Sequence, residues 1–443
     1  MKLVRKYRLY PNSEQEALML QTLESCRKTW NVLLSKRQAS KLSKYDCDHE
    51  VYLQKQKTPY LREVYSHVLQ NVSERLDLAF QHFFRRLREG KTGRDLGYPR
   101  FRKYGCYDSF TYPDAYNGSV KLGSALKKTK LYLSKIGYVP VRVSRSHPEQ
   151  VKEREGATLY GLKTCTIKRE CDKWFAVLVY ETKQVLPEHV EAPERPIGID
   201  LGLTSIITTS NGMKIEPLKP LKKNLDKLAK LQHILSRRIA GVCKCGCRKF
   251  RVVKGSYPFQ CLRCGLHRRQ SKSRNRFKAQ SRVSALHWRI GMQRRDALHK
   301  LTSDLALQHD LIVFEDLNIK GMVKNHSLAR SFFDVSLSEV VRLASYKAER
   351  YGHRVVLVSP NHTSTDCSSC GFRREMPLSV RIFHCEKCGL VLDRDWNSAR
   401  TILFRGLQQV GQVIARTQAC GEWSPVSSDT QPLVEAGSGS PSL

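Results

Sequence analysis

Three acidic residues and two sets of cysteines carry the chemistry open to this chain. Asp200 ends the apolar run Ile197-Gly-Ile-Asp-Leu-Gly-Leu203, Glu315 ends the apolar part of Leu311-Ile-Val-Phe-Glu-Asp-Leu-Asn318, and Asp395 lies in Asp393-Arg-Asp-Trp-Asn-Ser-Ala399, where a helix is expected to start. Carboxylates hold hard divalent cations, and Mg²⁺ keeps oxygen ligands and part of its water shell. Two such cations, about 4 Å apart, stabilise both the attacking and the leaving oxygen in phosphodiester cleavage. Taken singly, each acid reads more readily as a helix cap or an ion-pair partner. Three at the ends of elements point to a shared two-metal Mg²⁺ site. Asp393 is expected to cap the final helix and Asp316 to face solvent, so neither is counted in the set.

Cys367-Ser-Ser-Cys370 and Cys385-Glu-Lys-Cys388 are separated by 14 residues, and Gly371 and Gly389 follow the two pairs. Paired knuckles of this form bind structural zinc with tetrahedral geometry. A second set, Cys243-Lys-Cys245-Gly-Cys247 and Cys261-Leu-Arg-Cys264, is irregular. It suggests a second Zn²⁺ held by Cys243, Cys261 and Cys264 with either Cys245 or Cys247. Cys26, Cys47, Cys106, Cys165, Cys171 and Cys420 are scattered and read as packing or surface thiols.

The elements that must position these groups follow from periodicity. From 197 onward the pattern is a strand Ile197–Thr209, a turn at Ser210-Asn-Gly212 and a strand Met213–Ile215. A basic helix starts near 219, is interrupted at 242–270 and resumes to about 308. Strand Leu311–Phe314, a helix from about Ser336 to Gly352, strand 354–359 and a final helix over about 396–405 follow. Strands with acids at their ends and helices across them describe a ribonuclease-H-like α/β layer. Upstream, residues 1–10 alternate like a strand, and Ser13-Glu-Gln-Glu16 reads as a capping box. Met19, Leu23, Cys26, Trp30 and Leu33 form one helical face. A second long helix starts near Thr58-Pro59, with Val64, Val68, Val72, Leu76, Phe80, Phe83 and Leu87 as its buried stripe. Its basic end carries Arg85, Arg86 and Arg88 before Gly90 and Gly93. Between 97 and 183, short β-rich runs suggest a small antiparallel barrel that the first strand completes. Residues 187–196 read as a linker and 418–443 as a disordered tail.

The 443 residues allow two to four domains at ~150 residues each. Lysine and arginine total 77 against 41 acids, a net charge of +36. A surplus of that size would make the molecule repel itself, so a polyanionic partner is expected. No apolar run approaches the ~18 residues of a spanning helix, and the basic start Met1-Lys-Leu-Val-Arg-Lys-Tyr7 is unlike a signal peptide. A cytoplasmic, nucleoid-associated protein is expected, with no membrane partner.

Together the stretches Tyr7–Pro11, Gly97–Phe101, Gln293–Lys300, Glu315–Met322, Tyr346–Glu349, the Cys367 ribbon and Asp393–Ala399 resemble the transposon-encoded TnpB family, compact relatives of type V CRISPR effector nucleases. The resemblance covers nearly the whole chain. It implies a multidomain α/β and β protein. A wedge β-barrel would occupy 1–10 and 95–190, and an inserted helical recognition lobe 11–94. A split RuvC nuclease would occupy 191–361 and 391–417, with the extra cysteine-rich insert at 242–270. A zinc ribbon for target nucleic acid would occupy 362–390. The resemblance also implies an RNA guide derived from the transposon end, a short transposon-adjacent DNA motif and double-stranded DNA cleavage, in a monomeric ribonucleoprotein. The family's three acids fall on Asp200, Glu315 and Asp395. Two other readings differ in class: a guided DNA-binding repressor that does not cut, which intact acids disfavour, and a strand transferase or resolvase on the same fold.

Overall fold

The computed structural model describes residues 2–40, 42–125, 128–143, 161–181, 187, 193–239, 242–247, 250–252, 259–268, 273–322, 331, 334–377 and 379–411. The tail at 418–443, which includes Cys420, and residues 188–192 of the 187–196 linker lie outside them. The chain divides into two compact units: 1–185 with 280–288, and 186–279 with 289–443.

The first unit joins a seven-stranded antiparallel sheet to a set of helices. The strands are β1 (Lys2–Leu9), β2 (Ser109–Tyr112), β3 (Val120–Ala125), β4 (Lys128–Leu133), β5 (Gly137–Arg142), β6 (Gly161–Glu170) and β7 (Lys173–Glu181), in the order β2-β6-β7-β1-β5-β4-β3. β1 lies in the middle, paired along its length with β7 and at its end with β5. Its alternation sends Leu3, Tyr7 and Leu9 inward and leaves Val4 and Tyr10 exposed. The helices are Ser13–Ala39, Lys44–Lys57, the short Pro59–Arg62 and Ser66–Arg88. Met19, Leu23, Cys26, Trp30 and Leu33 are all buried, and they share one continuous apolar core with the sheet.

Three sequence expectations need correction here. The first cap is Asn12 with Gln15, because Asn12 presents a carbonyl oxygen one residue earlier than the Ser13 hydroxyl would. The long second helix is broken at 63–65, and its stripe leaves the core after Phe80, so Leu87 is half exposed. Gly97–Arg102 forms no strand; its carbonyls instead cap side chains of the first helix, as in Trp30 Nε1 donating to Arg100 O at 3.1 Å.

The second unit is built on a five-stranded mixed sheet. The expected strand Ile197–Thr209 is two: β8 (Pro196–Asp200) and β9 (Ile207–Thr209), because the chain turns back through Leu201–Ile206. With β10 (Lys214–Ile215), β14 (Leu311–Glu315) and β15 (Arg354–Val358) the order is β10-β9-β8-β14-β15. β8, β14 and β15 run parallel, while β9 and β10 are antiparallel to their neighbours. The buried Asp310 anchors the entry to β8, accepting from the amides of Glu194 and Arg195 at 3.0 Å. Helix Leu337–Arg350 covers one face with Leu298 and Leu305 of the Arg274–Gln308 helix. Helix Arg394–Gln409 covers the other through Ile402, Leu403 and Leu407. Two small β elements complete the unit: β11 (Phe250–Val252), β12 (Phe259–Cys261) and β13 (His267–Arg268) in one, and β16 (Ile382–His384) with β17 (Val391–Asp393) in the other.

Candidate active site

Parallel pairing puts two of the three acids side by side. Ile199 and Phe314 are the last paired residues of β8 and β14, and the next residue along each strand is Asp200 or Glu315. Neighbouring strands lie about 4.8 Å apart, and residues in register share a face. Ile197, Ile199, Ile312 and Phe314 enter the core under the Leu337–Arg350 helix. Alternation therefore puts Gly198, Asp200, Val313 and Glu315 on the opposite face.

That face carries the Arg394–Gln409 helix at unusually short range. A Cβ on Gly198 would meet the Ala399 carbonyl oxygen and stand 2.6 Å from the Leu403 amide nitrogen. Gly406 gives the reciprocal clearance over Val313. Two glycines thus let helix and strands approach backbone to backbone, which brings Asp395, in the helix's first turn, to the strand ends.

Asp395 is aimed by its neighbours. Asp393 caps the helix, accepting from the amides of Asp395 at 3.1 Å and Trp396 at 3.2 Å. Its other oxygen meets Lys214 Nζ at 2.7 Å, so Asp393 is engaged elsewhere, as expected. Trp396 donates from Nε1 to the Ser210 carbonyl at 2.9 Å and packs over Gly212, whose φ of +88° makes the turn. Asn397 is fully buried; its Nδ2 donates to the Asp366 carbonyl and its Oδ1 accepts from the Ser368 amide, both at 2.9 Å. Arg405 ties the same helix to the 359–366 loop through the carbonyls of Ser359 and Asn361 and the Asp366 carboxylate. Asp316 faces solvent.

The electrostatics agree that the three acids converge. Burial lifts the Asp200 pKa well above the ordinary carboxylate value, and the charges of Glu315 and Asp395 add to it, against the pull of Arg394. Burial also raises Glu315, while the nearby Thr363 hydroxyl and the charge of Arg405 pull it back down. Near Asp395 the cation is Arg381, 3.8 Å away. Among the described residues only the two cysteine sets have all ligand atoms within 4.8 Å of one another. Repelling carboxylates gathered on one face fit Mg²⁺, which would relieve the repulsion.

Both cysteine sets close. Sulfur separations are 3.6 Å for Cys367 and Cys388 and 3.5 Å for Cys370 and Cys385. In the second set they are 3.4 Å for Cys243 and Cys264 and 3.7 Å for Cys245 and Cys261. Four thiolates around zinc at about 2.3 Å stand roughly 3.8 Å apart, so both sets fit zinc. Gly371, Gly389 and Gly265 all have positive φ and donate their amides to the carbonyls of Cys367, Cys385 and Cys261. The fourth member of the second set is Cys245; Cys247 instead accepts the Cys243 amide with its carbonyl.

Sequence reasoning missed Gly198, Gly406, Thr363 and Arg405. Gly198 carried a readable signal, a glycine inside an apolar strand. Thr363 and Arg405 act only through tertiary contacts, and nothing in their local sequence marks them.

Adjacent carboxylates at the ends of parallel strands, a third on the covering helix, and two tetracysteine clusters that could hold zinc describe an α/β protein with a cationic surplus suited to a polyanion. Comparison with known proteins gives the lineage. Residues 338–402 match the family described as "Cas12f1-like, TNB domain", and 255–326 match "Probable transposase". Residues 1–40 match a "Helix-turn-helix domain" of the same transposon proteins, although here they form one strand and one continuous helix. A relative from Streptomyces pristinaespiralis, "Putative RNA-guided DNA endonuclease", is 30% identical over 94% of this chain and 90% of its own length. "Putative RNA-guided DNA endonuclease InsQ" of Escherichia coli K12 is 28% identical over 90% and 91%. A solved Cas12f1–sgRNA–target DNA complex superposes over 91% of this chain and 98% of that one, with a TM-score of 0.49 and 14% identity. The chain belongs to the TnpB family.

Proposed function

We propose that this chain is an RNA-guided endonuclease that cuts double-stranded DNA beside a short transposon-adjacent motif, using the Asp200, Glu315 and Asp395 carboxylates. The observation that carries the reading is their convergence: two on neighbouring strands in register, the third delivered by the helix packed on those strands. The strand order β10-β9-β8-β14-β15, with its antiparallel edge, supports a RuvC-type nuclease for 191–361 and 391–417. In the same reading 362–390 is a zinc-bearing insert for target nucleic acid. Residues 1–10 with 95–190 serve as the wedge and 11–94 as the recognition lobe. The particle is one protein with one guide RNA from the transposon end, acting on nucleoid DNA in the cytoplasm.

Asp200, Glu315 and Asp395 would hold divalent cations; Cys367, Cys370, Cys385 and Cys388 would hold one zinc, and Cys243, Cys245, Cys261 and Cys264 another. Bound Mg²⁺ supplies Lewis acidity to the phosphate and lowers the pKa of water. The chain's own groups prepare the site. Thr363 and Arg405 favour the ionised form of Glu315. Asp393 and Asn397 fix the helix turn that carries Asp395. Arg381, exposed beside Asp395, is available to a strand phosphate. Sequence would be read by base pairing with the guide, and cationic side chains would hold the heteroduplex by its shape.

The test is cleavage of a matched duplex by protein carrying its guide RNA in Mg²⁺. Wild type should yield double-strand breaks, and Asp200→Asn should reduce the rate at least about 10³-fold while target binding persists. Target binding with no cleavage by wild type would favour the repressor. Full activity in Asp200→Asn would remove the carboxylate from the chemistry.

A further inference from the structure

The second cysteine set lies in a segment with an extreme charge. From residue 227 to 295 there is no aspartate or glutamate, while 20 of the 69 residues are lysine or arginine. This stretch supplies more than half of the molecule's net charge of +36. The part in the second unit is a hairpin. Helix Leu225–Ile239 leads into the β11–β13 ribbon, and the chain returns in the helix that starts at Arg274. Arg238 Nη1 donates to the Asn275 carbonyl at 3.2 Å and ties the two helix ends together at the base of the ribbon.

Three observations separate this ribbon from the one beside the carboxylates. The Cys367 ribbon has an apolar centre of Phe383, Met376 and Leu390, and its arginines are answered by acids, Arg373 by Asp366 and Arg374 by Glu386. In the hairpin Lys227, Lys230, Arg237, Lys244, Arg263, Arg274 and Lys278 are exposed. Among the described residues, ion pairs along the chain jump from Lys214 to Arg294. Finally, the returning helix opens with Arg274 and Arg276 and has no acid in its first turn, against the helix dipole. Arg276 is 7% exposed, and its Nε is buried with no hydrogen-bond partner among the described residues. A packed core does not explain an exposed, uncompensated cationic surface, and a phosphate backbone does.

We infer that the hairpin, with a zinc at Cys243, Cys245, Cys261 and Cys264, is a metal-organised docking arm for the backbone of the guide RNA, separate from the carboxylate site. The inference rests on the RNA-guided reading above. The occupant is the guide and not the target, because this charge density repels itself continuously and the guide is the polyanion that stays bound between targets. A zinc on the four thiolates would hold the tip, so the arm's shape would depend on the metal.

The experiment uses full-length protein purified with its RNA; that RNA is sequenced, transcribed and used as the probe. The triple variant Arg237→Ala, Lys244→Ala, Lys278→Ala changes exposed cations only. It should weaken RNA binding about tenfold or more at 0.15 M salt. It should also flatten the plot of log affinity against log salt by about 2 to 3 units, with zinc content unchanged at two per chain. Cys261→Ser should lower zinc content to one and reduce RNA affinity, with the Cys367 site still loaded. Unchanged RNA affinity and salt slope in the triple variant would overturn the inference. So would a loss confined to a 30-base-pair duplex DNA probe, which would make the arm a DNA surface. Wild type that retains no RNA would fail the guided reading itself, whereas RNA-loaded wild type with an indifferent triple variant fails only the arm.

Discussion

Asp200 sits where burial and two neighbouring carboxylates all disfavour its charge. Such a group weakens the metal-free fold. A carboxyl whose pKa is higher in the folded than in the unfolded chain contributes stability below its ordinary value near 4, and that stability is lost as pH rises through the raised value. Glu315 is shifted the same way. In chelator, the stability contributed by these two acids should therefore decline as pH rises above about 4, a decline read as the difference in melting temperature from Asp200→Asn, and Mg²⁺ should offset it at neutral pH. Asp200→Asn should flatten that fall and raise the metal-free melting temperature at pH 7 by about 1–4 °C while abolishing cleavage. A metal-free variant no more stable than wild type at pH 7 would show that the charge is relieved some other way. The acids themselves were legible because each ends an apolar strand or opens a helix. Thr363 and Arg405 were not, because their effect on Glu315 comes from chain segments that meet only after folding. Cys245 against Cys247 was equally undecidable, since both spacings can close a knuckle and the backbone turn at Gly246 makes the choice.

Helix Arg394–Gln409 owes its position to the absence of two side chains. Gly198→Ala puts a methyl group into a fixed helix backbone, so a loss of about 3 kcal/mol or more, or failure to fold, is expected. Gly406→Ala has the Val313 side chain as its nearest neighbour instead of a helix backbone, and should cost about 1–3 kcal/mol. Equal costs by denaturant unfolding would mean that the helix shifts as a body. Periodicity read these elements well where one face is apolar and the other wet: every residue of the Met19–Leu33 stripe is buried. It failed where the apolar signal is continuous. Ile197–Thr209 looks like one strand because both halves are hydrophobic, yet Gly202 and Ser205 mark the reversal between β8 and β9. It also ran the second helix's stripe too far, since periodicity cannot reveal where the covering sheet ends and Leu87 emerges.

Across the molecule, charge and metal sites divide the work. The described residues contain no helix long and apolar enough to cross a membrane. The cations gather in the acid-free run 227–295, and two of the carboxylates stand at the ends of neighbouring inner strands of one sheet. The Cys367 ribbon stands between these roles, because Asn397 grips it from the helix that bears Asp395. Asn397→Ala removes two buried hydrogen bonds and should cost about 2–3 kcal/mol. Cleavage should fall with guide and target binding intact and zinc content unchanged; unaltered cleavage would uncouple the ribbon from the acid.

With zinc and Mg²⁺ in the sites proposed above, that grip would make the two metals unequal partners. The amide of Ser368, one residue past the first thiolate, fixes the side chain that fixes the third carboxylate. A reagent that strips zinc, yet has no affinity for magnesium, should silence a reaction in which zinc touches neither phosphate nor water.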